Sequence, residues 1–335
     1  MRPIAEYAPM DRATFEREVV PKGEPAVFRG LVADWPVVQA GADGPETLAQ
    51  LLHGAATDER IQAWIAPPEV EGRFDFNADF TGFNFDRRMT TIGQLLELLM
   101  SQRGRAQPFA MYAGGLPIRK HLPSLIPTIP VPMLDMTRDT LISLWIGNAT
   151  HTRTHWDQSQ NLACVVAGRR RFTLFPPEQL KNLYVGPLDF TLAGQPTSLV
   201  DVDAPDLVAY PRFKEALEAA QRTELGPGDA IYIPALWFHD VLSLEDFGTL
   251  INFWWRDAEP PLLSPLYALY HAIITLRELP PNEREAWRNM FSHYVFGDDG
   301  EPVEHLPERA RGVLGKRTPD LVARVRKLLA DVLND

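Results

Sequence analysis

The pattern of apolar and polar positions divides the chain into a mixed N-terminal region, a central β-rich region and a helical C-terminal region. Near the N-terminus, apolar residues at helical spacing predict one helix at residues 11–20 and another within TTIGQLLELLMSQRG. The segment PAVFRGLVADWP predicts a strand followed by a turn. The segment PFAMYAGG predicts a short strand that its glycines end, and dense prolines at 117–132 predict a long surface loop with room for helical turns.

Between residues 140 and 256 the pattern is that of short strands. Five segments are rich in Ile, Val, Phe and Trp and are separated by Gly, Pro and Asp: TLISLWIGN, NLACVVAG, RRFTLFPP, DAIYIPALWFHDVLSL and GTLINFWWRD. Short strands with this punctuation are typical of a sandwich or barrel. An insert from about 184 to 222 begins as polar chain and ends in a predicted helix, PRFKEALEAAQR.

After Arg256 the pattern becomes helical. Three segments carry it: EPPLLSPLYALYHAIITLREL, PNEREAWRNMFSHYVFG and TPDLVARVRKLLADVLND. In the last one, Thr318 suits an N-cap and Pro319 suits the first turn. We therefore expect a catalytic domain at 1–256, with a core barrel at about 105–256, and a helical region at 257–335.

Composition narrows the class of protein. With 335 residues, 45% of them hydrophobic and 23% charged, the chain has the make-up of ordinary globular proteins. A formal net charge of −11 argues against a general nucleic-acid binder, although it leaves room for a local basic groove. The single cysteine, Cys164, lies in an apolar run and predicts a buried, inert thiol. Neither a signal peptide nor a membrane span is predicted, so we expect the cytoplasm and no membrane partner.

Three side chains suggest a metal site. His155 and Asp157 are two residues apart at the start of a β-rich segment, and alternation along a strand places them on one face. His239, 84 residues downstream, follows another predicted strand and is the best candidate for a third ligand. Two imidazoles and one carboxylate form the facial triad of non-haem Fe(II) oxygenases, which leaves positions open for a co-substrate and O₂. Zn(II) accepts the same ligand types, so the residues alone leave the metal open.

The motifs around these residues resemble one known family. THWDQSQNLACVVAGRRRFTLFPPEQLKNLY, GPGDAIYIPALWFHDVLSL and INFWW follow one another as in the JmjC/cupin-like oxygenases that depend on Fe(II) and 2-oxoglutarate. The resemblance covers residues 140–256, extends to PAVFRGLVADWP, and is greatest to the branch of the asparaginyl hydroxylase of hypoxia-inducible factor. It implies a mainly β fold with helical additions: a double-stranded β-helix, or jelly roll, with N-terminal α/β elements and a C-terminal helical extension.

The resemblance also implies roles for individual residues. His155, Asp157 and His239 would bind Fe(II), and 2-oxoglutarate would occupy a neighbouring pocket. Five further residues match positions that line this pocket in the family: Tyr112, Thr152, Asn161, Arg170 and Asn252. Arg170 stands where the family has a lysine, and a guanidinium can also bind the far carboxylate of 2-oxoglutarate. Alternation along the strand would place Arg170 on the same face as Phe172.

By this resemblance the chain is expected to be a dioxygenase that hydroxylates a protein or peptide side chain and releases succinate and CO₂. Its C-terminal helices are expected to form a homodimer, as they do in the resembling branch. Two alternatives stay open: a cupin with a different metal and non-oxygenase chemistry, and a non-catalytic binding module. Also open are whether His151 supports the metal site or only the fold, and whether Trp237, Trp254 and Trp255 line the site or the core.

Overall fold

A computed structural model of the chain describes residues 1–136, 139–257, 264–297 and 302–334. The chain divides into two compact units, residues 1–257 and residues 258–335. The described strands all lie in the first unit: β1 Arg2–Pro3, β2 Ala5–Tyr7, β3 Ala26–Phe28, β4 Ile61–Ala66, β5 Asp86–Thr90, β6 Ala110–Pro117, β7 Leu141–Gly147, β8 His151–Trp156, β9 Gln160–Ala167, β10 Arg170–Phe175, β11 Gln221–Leu225, β12 Ala230–Ile233, β13 Phe238–Ser243 and β14 Gly248–Trp255.

Helices lie in both units. Those of the first unit are α1 Arg12–Glu18, α2 Pro36–Ala42, α3 Pro45–Ala55, α4 Ile92–Gln102, α5 Ile118–His121 and α6 Phe213–Ala219. Those of the second are α7 Pro265–Leu276, α8 Pro281–Phe291 with a following π-helical turn at Ser292–Phe296, and α9 Pro319–Asn334. Short 3-10 turns occur at Val20–Lys22, Pro68–Val70, Pro123–Thr128, Pro177–Asn182, Glu308–Ala310 and Gly312–Leu314. In the described part of the chain, every helix is too short or too polar to cross a membrane.

The strands form two sheets that together make a jelly roll. The smaller sheet has the order β1-β11-β10-β13-β8, and the larger has the order β2-β3-β12-β9-β14-β7-β6-β4-β5. The architecture is thus mainly β with added helices, and the predicted fold class is confirmed. The region from 140 to 256 supplies β7–β14, so the short apolar segments were reliable signals of strands.

The two sheets bury a common apolar layer. Val165, Ile231 and Leu250 from the larger sheet pack in one cluster with Phe172 and Leu174 from the smaller sheet. These side chains alternate with outward-facing ones because successive residues of a strand point to opposite faces. Burying each contributes roughly 1.5–3 kcal/mol of hydrophobic free energy. The layer holds β10 and β14 in place, and both strands carry residues of the candidate site.

Helices cover the other face of the larger sheet. The stripe on α4 consists of Ile92, Leu95, Leu96 and Leu99, and each of these side chains is at most 2% exposed. Thr91 begins this helix with a capping box, in which Thr91 and Gln94 each bond the other's backbone N–H. The predicted helix is therefore confirmed. The first predicted helix is shorter than expected, because Asp11 caps it and it ends at Glu18.

Two predictions from glycine and proline are wrong. β6 continues through its glycines to Pro117, because a bulge between Ala113 and Leu116 absorbs the turn and Gly115 adopts a φ of +64°. The proline-rich stretch at 117–132 has the expected helical turns, α5 and a 3-10 turn, but it does not lie at the surface. Its apolar side chains at 118, 122, 125 and 129 are buried in the core, which outweighs the helix-breaking tendency of proline.

A third prediction is wrong in one detail that matters for the site. DAIYIPALWFHDVLSL is two strands and not one, because the chain turns at 234–237 and passes from the larger sheet to the smaller one. Leu236 adopts a φ of +68° in this turn, and Trp237 is held by a 2.8 Å hydrogen bond from its indole Nε1 to the Gly23 carbonyl. His239 therefore follows a sheet-to-sheet crossing.

The predicted helices of the C-terminal region correspond to α7, α8 and α9, although residues 259–263 of the first segment lie outside the described residues. Within the second unit, large apolar side chains are exposed on α7 and α9, among them Ile274, Leu328, Val332 and Leu333. In the first unit, Cys164 lies fully buried in β9, and burial raises the pKa of its thiol. The prediction of an inert thiol agrees with that position.

Candidate metal centre

Three potential metal ligands meet at one mouth of the jelly roll. His155 lies near the end of β8, Asp157 directly follows that strand, and His239 lies on β13 opposite His155 in an antiparallel pair. Their ligand atoms all lie within 4.8 Å of one another. The imidazole centroids are 4.3 Å apart, and Asp157 Oδ2 lies 3.6 Å from His239 Nε2. The structure thus brings together the three residues that the sequence singled out.

The two imidazoles are oriented alike by their own strands. His155 Nδ1 lies 2.8 Å from the carbonyl oxygen of Arg153, and His239 Nδ1 lies 3.1 Å from that of Trp237. A carbonyl oxygen only accepts hydrogen bonds, so Nδ1 carries the proton in each ring. In the neutral form Nε2 then keeps a free lone pair, as a metal ligand requires.

Burial keeps one of these imidazoles neutral. Burial, helped by the nearby His155 and opposed by Asp157, lowers the pKa of His239 to about 4. At pH 7 His239 is therefore unprotonated. A neutral imidazole is the form that binds a divalent cation, because protonation would occupy the lone pair.

A small cavity of about 50 Å³ extends from the three ligands into the barrel, and the five predicted pocket residues all line it. Arg170 is the most unusual of them. It is 5% exposed, its Nε has no hydrogen-bond partner, and no carboxylate pairs with it among the described residues. Burial lowers the pKa of Arg170 to about 10, while Tyr112 opposes the shift, so the guanidinium still carries its charge at pH 7.

Tyr112 and Thr152 lie on the same side of this cavity as Arg170. Burial raises the pKa of Tyr112 to about 12, against the opposing effects of its hydrogen bond with Thr152 and the charge of Arg170. The predicted alternation along β10 is also observed. Arg170 and Phe172 are buried and line the cavity, whereas Arg169 and Arg171 form ion pairs with Glu245 and Asp203.

A second and larger cavity, of about 580 Å³, opens beside the first and shares His155 and Asp157 with it. Five of its lining side chains are aromatic, and its charged side chains include Arg87, Arg153 and Asp157. The aromatic side chains are Trp64, Phe74, Tyr112, Trp145 and Trp254. Arg87 lies at this cavity with its guanidinium 4.7 Å from the ring centre of Phe83 and donates a 2.6 Å hydrogen bond to the Leu192 carbonyl. A volume in this range is typical of small-molecule and side-chain pockets.

His151 is close to the ligands in sequence but has a different partner. Its Nε2 lies 2.8 Å from Asp240 Oδ1, and Thr154 donates a 3.1 Å hydrogen bond to Asp240 Oδ2. Burial would lower the pKa of His151, but the charge of Asp240 and the hydrogen bond to it outweigh burial and raise it. His151 therefore supports β13 next to His239 and also lines the larger cavity.

Sequence reasoning missed several residues of the site. Trp145 lies inside the strand segment TLISLWIGN, and alternation on β7 could have marked it as inward-facing. Arg87 and Trp64 come from the edge of the larger sheet, and the wall formed by residues 191–195 comes from the insert. No local pattern indicates that these distant segments meet. Of the three tryptophans left open, Trp254 lines both cavities, whereas Trp237 and Trp255 pack in the core.

Comparisons with known proteins agree with this geometry. The tRNA wybutosine-synthesizing protein 5 of Danio rerio is 28% identical over 318 residues, which is 84% of this chain and 88% of that protein. Its Gallus gallus counterpart is 30% identical over 318 residues, 85% of this chain and 92% of that protein. Lysine-specific demethylase JMJ31 of Arabidopsis thaliana is 36% identical over 125 residues, 37% of this chain and 22% of that protein.

These relatives bear names of tRNA-modifying and demethylating proteins, so they give no support to the expected branch of the asparaginyl hydroxylase. They do support the wider resemblance. A family described as the cupin-like domain matches residues 12–259, which contain all three potential metal ligands. The chain belongs to the cupin-like domain family.

Proposed function

We propose that this protein is an Fe(II)- and 2-oxoglutarate-dependent dioxygenase that hydroxylates a side chain of a protein or peptide. One observation carries the proposal: a His-Asp-His cluster lines the same small cavity as a buried arginine that has no carboxylate partner among the described residues. The first is a ligand set for a divalent metal, and the second requires an anion. A dicarboxylate that also chelates the metal satisfies both requirements at once.

The donor set fits a ferrous ion. His155, Asp157 and His239 would hold it through two imidazole nitrogens and one carboxylate, and all three approach from one side. This arrangement leaves coordination positions free for further ligands. The hydrogen bonds of both Nδ1 atoms to backbone carbonyls orient the rings without using Nε2.

Arg170 fits the far carboxylate of 2-oxoglutarate. A buried guanidinium without a partner is costly, because the charge loses its hydration and gains no opposite charge. A carboxylate ligand can accept two hydrogen bonds from it. Tyr112 and Thr152 offer hydroxyl groups beside Arg170, so the replacement of the family's lysine by arginine is compatible with co-substrate binding.

When bound, the iron and 2-oxoglutarate would supply the chemistry: O₂ is consumed, 2-oxoglutarate becomes succinate and CO₂, and one oxygen atom enters a substrate C–H bond. The residues of this chain would hold the iron and 2-oxoglutarate and shield them. Trp145 and Trp254 line both cavities beside His155 and Asp157, so a substrate group seated against them would displace water from the ligands. The larger cavity would receive the substrate group and bring its C–H bond near His155 and Asp157.

A second candidate substrate is a tRNA base. Relatives named tRNA wybutosine-synthesizing protein 5 match over 84–85% of this chain, and flat aromatic walls suit a planar ring as well as a side chain. The net charge of −11 favours the protein substrate. Succinate release with a peptide library and with bulk tRNA, measured in parallel, distinguishes the two.

The decisive experiment removes one ligand. His155→Ala should abolish Fe(II) binding and succinate formation, because two remaining ligands bind a labile metal weakly. His271→Ala, an exposed histidine of α7, serves as the matched control and should change neither. Full activity of His155→Ala, or activity supported by Zn(II) without 2-oxoglutarate, would favour a cupin with other chemistry. A protein that binds no metal would favour the non-catalytic module.

Two further parts of the proposal concern assembly and location. Exposed apolar residues on α7 and α9 support a homodimer built by the C-terminal helices, the assembly that the resemblance implies. The single cysteine, free and buried, fits the reducing conditions of the cytoplasm.

A further inference from the structure

A chain of hydrogen bonds runs from the larger cavity to the carboxylate of Asp157. Trp145 Nε1 donates to Asn252 Oδ1 at 2.6 Å, and Asn252 Nδ2 donates to Asn161 Oδ1 at 3.0 Å. Asn161 Nδ2 lies 3.5 Å from Asp157 Oδ2, and Trp254 Nε1 donates to the same oxygen at 3.1 Å. We name Trp145, Asn252, Asn161 and Trp254 the donor chain.

The direction of the donor chain is fixed by chemistry. An indole N–H can only donate, so Asn252 must turn its oxygen toward Trp145 and its amide nitrogen toward Asn161. Asn161 must then accept with its oxygen and present its own amide nitrogen to Asp157. Each group thus has one permitted orientation, and both arms of the donor chain end on an acceptor. An ionised carboxylate is the group that can accept from both.

The donor chain also leaves Asp157 able to bind a metal. A carboxylate has about four lone-pair sites; the two donors use those of Oδ2, which leaves Oδ1 to bind a metal. Oδ2 lies 3.6 Å from His239 Nε2, so the donors hold the carboxylate on the side where the two imidazoles point. Asn161 and Asn252 are 5% and 1% exposed, which keeps water from competing for these bonds.

We propose that Trp254 and Trp145 are positioning residues for the metal ligand Asp157, Trp254 by a direct hydrogen bond and Trp145 through the two asparagines. The proposal rests on the metal site of the proposed function. It gives Asn161 and Asn252 a role in orienting a metal ligand, beyond lining the co-substrate pocket. Trp145 also lines the larger cavity, so a substrate that displaces its ring would disturb the donor chain and thereby Asp157.

The test measures the affinity for Co(II) alone, by calorimetry and by the visible absorption of bound Co(II), without any turnover. Trp254→Phe keeps the edge-to-face contact with Trp145 but loses the N–H, and should weaken Co(II) binding by roughly 10-fold or more. Trp145→Phe should weaken it by about 3-fold, because Asn252 can then rotate and release Asn161. Trp35→Phe is the matched control, since it loses a 3.0 Å indole bond to the Pro130 carbonyl in the helical side of the core.

The outcomes separate this inference from the proposed function. The positioning role is supported if the wild type binds Co(II) tightly, Trp254→Phe weakens this binding most, Trp145→Phe weakens it less, and Trp35→Phe leaves it unchanged. Equal thermal destabilisation of all three variants with unchanged Co(II) affinity would show that the donor chain serves the fold alone. Failure of the wild type to bind Co(II) would overturn the metal site itself. If Trp254→Phe does not fold, an unchanged affinity in Trp145→Phe overturns the inference.

Discussion

Replacing Arg170 by methionine should make the protein more stable and unable to hold 2-oxoglutarate. Arg170 is buried to 5% exposure and lacks a carboxylate partner among the described residues, so the fold bears an uncompensated charge. Methionine has a similar length and a flexible apolar chain, so it should fill the space without a large cavity. The change therefore removes the charge and little else.

The magnitudes follow from the same burial. Two charge-assisted hydrogen bonds to a carboxylate contribute about 3–4 kcal/mol in total, so the dissociation constant of 2-oxoglutarate should rise roughly 100- to 1000-fold. Without co-substrate, loss of the unpaired buried charge should raise the free energy of unfolding by about 1–3 kcal/mol. Stability and binding should thus change in opposite directions, as is common where a site is built at the expense of the fold.

The assay combines calorimetric titration of the Co(II)-loaded protein with 2-oxoglutarate and denaturant unfolding of the metal-free protein. Arg170→Lys should keep part of the affinity, because the ammonium group supplies charge without the two-pronged geometry. Arg169→Met is the neighbouring control: that side chain is 57% exposed, pairs with Glu245, and should affect either quantity little. An Arg170→Met protein that is several kcal/mol less stable, or binds 2-oxoglutarate within 3-fold of wild type, would refute this reasoning.

Other perturbations test neighbouring parts of the molecule. Gly114→Ala would place a methyl group 2.4 Å from Trp145 Cε3, so it should lower the free energy of unfolding by about 1–3 kcal/mol and slow succinate formation. Gly54 has open space around it, so Gly54→Ala should do neither. His151→Gln should lower the free energy of unfolding by about 3 kcal/mol near pH 6. Because the pKa of folded His151 is raised, the stabilisation by Asp240 is complete below the unfolded pKa near 6.5 and is lost as the pH rises through the folded pKa. A deficit that does not change with pH in unfolding titrations would contradict the ion pair. Light scattering should give twice the 37.7 kDa chain mass, and a monomer at micromolar concentration would exclude the proposed homodimer.

Much of the candidate metal centre could be predicted because its two histidines lie on strands and Asp157 directly follows one. Alternation placed His155 and Asp157 on one side, and the apolar segment before His239 marked the second strand. What the sequence could not predict was the register that sets His155 opposite His239, since hydrogen bonding between β8 and β13 joins segments more than 80 residues apart. The same applies to Asp240, whose partner His151 lies on the neighbouring strand.

Predictions failed where tertiary packing outweighed the local conformational preference of a residue. Glycine and proline normally end regular structure, yet β6 passes through two glycines because Gly114 must lie against the ring of Trp145 and the hydroxyl of Tyr112. The segment DAIYIPALWFHDVLSL predicts a single strand because apolar residues dominate it. Only the turn at 234–237, which crosses between sheets, reveals that its two halves face different partners.

The charged and polar groups at this mouth of the barrel contribute little to the stability of the fold. In the described part of the chain Arg170 is buried without an opposite charge. His239 is held neutral, and Asp157 receives the hydrogen bonds of two donors while two imidazoles face it. Away from the cavities in the same barrel, Val165, Ile231 and their neighbours form an apolar layer that stabilises without such costs. A barrel selected only for stability would extend that layer to the mouth. A cation between the imidazoles and Asp157, together with a dicarboxylate that reaches Arg170, would satisfy every one of these groups, and for this reason we interpret the mouth as a binding site for both.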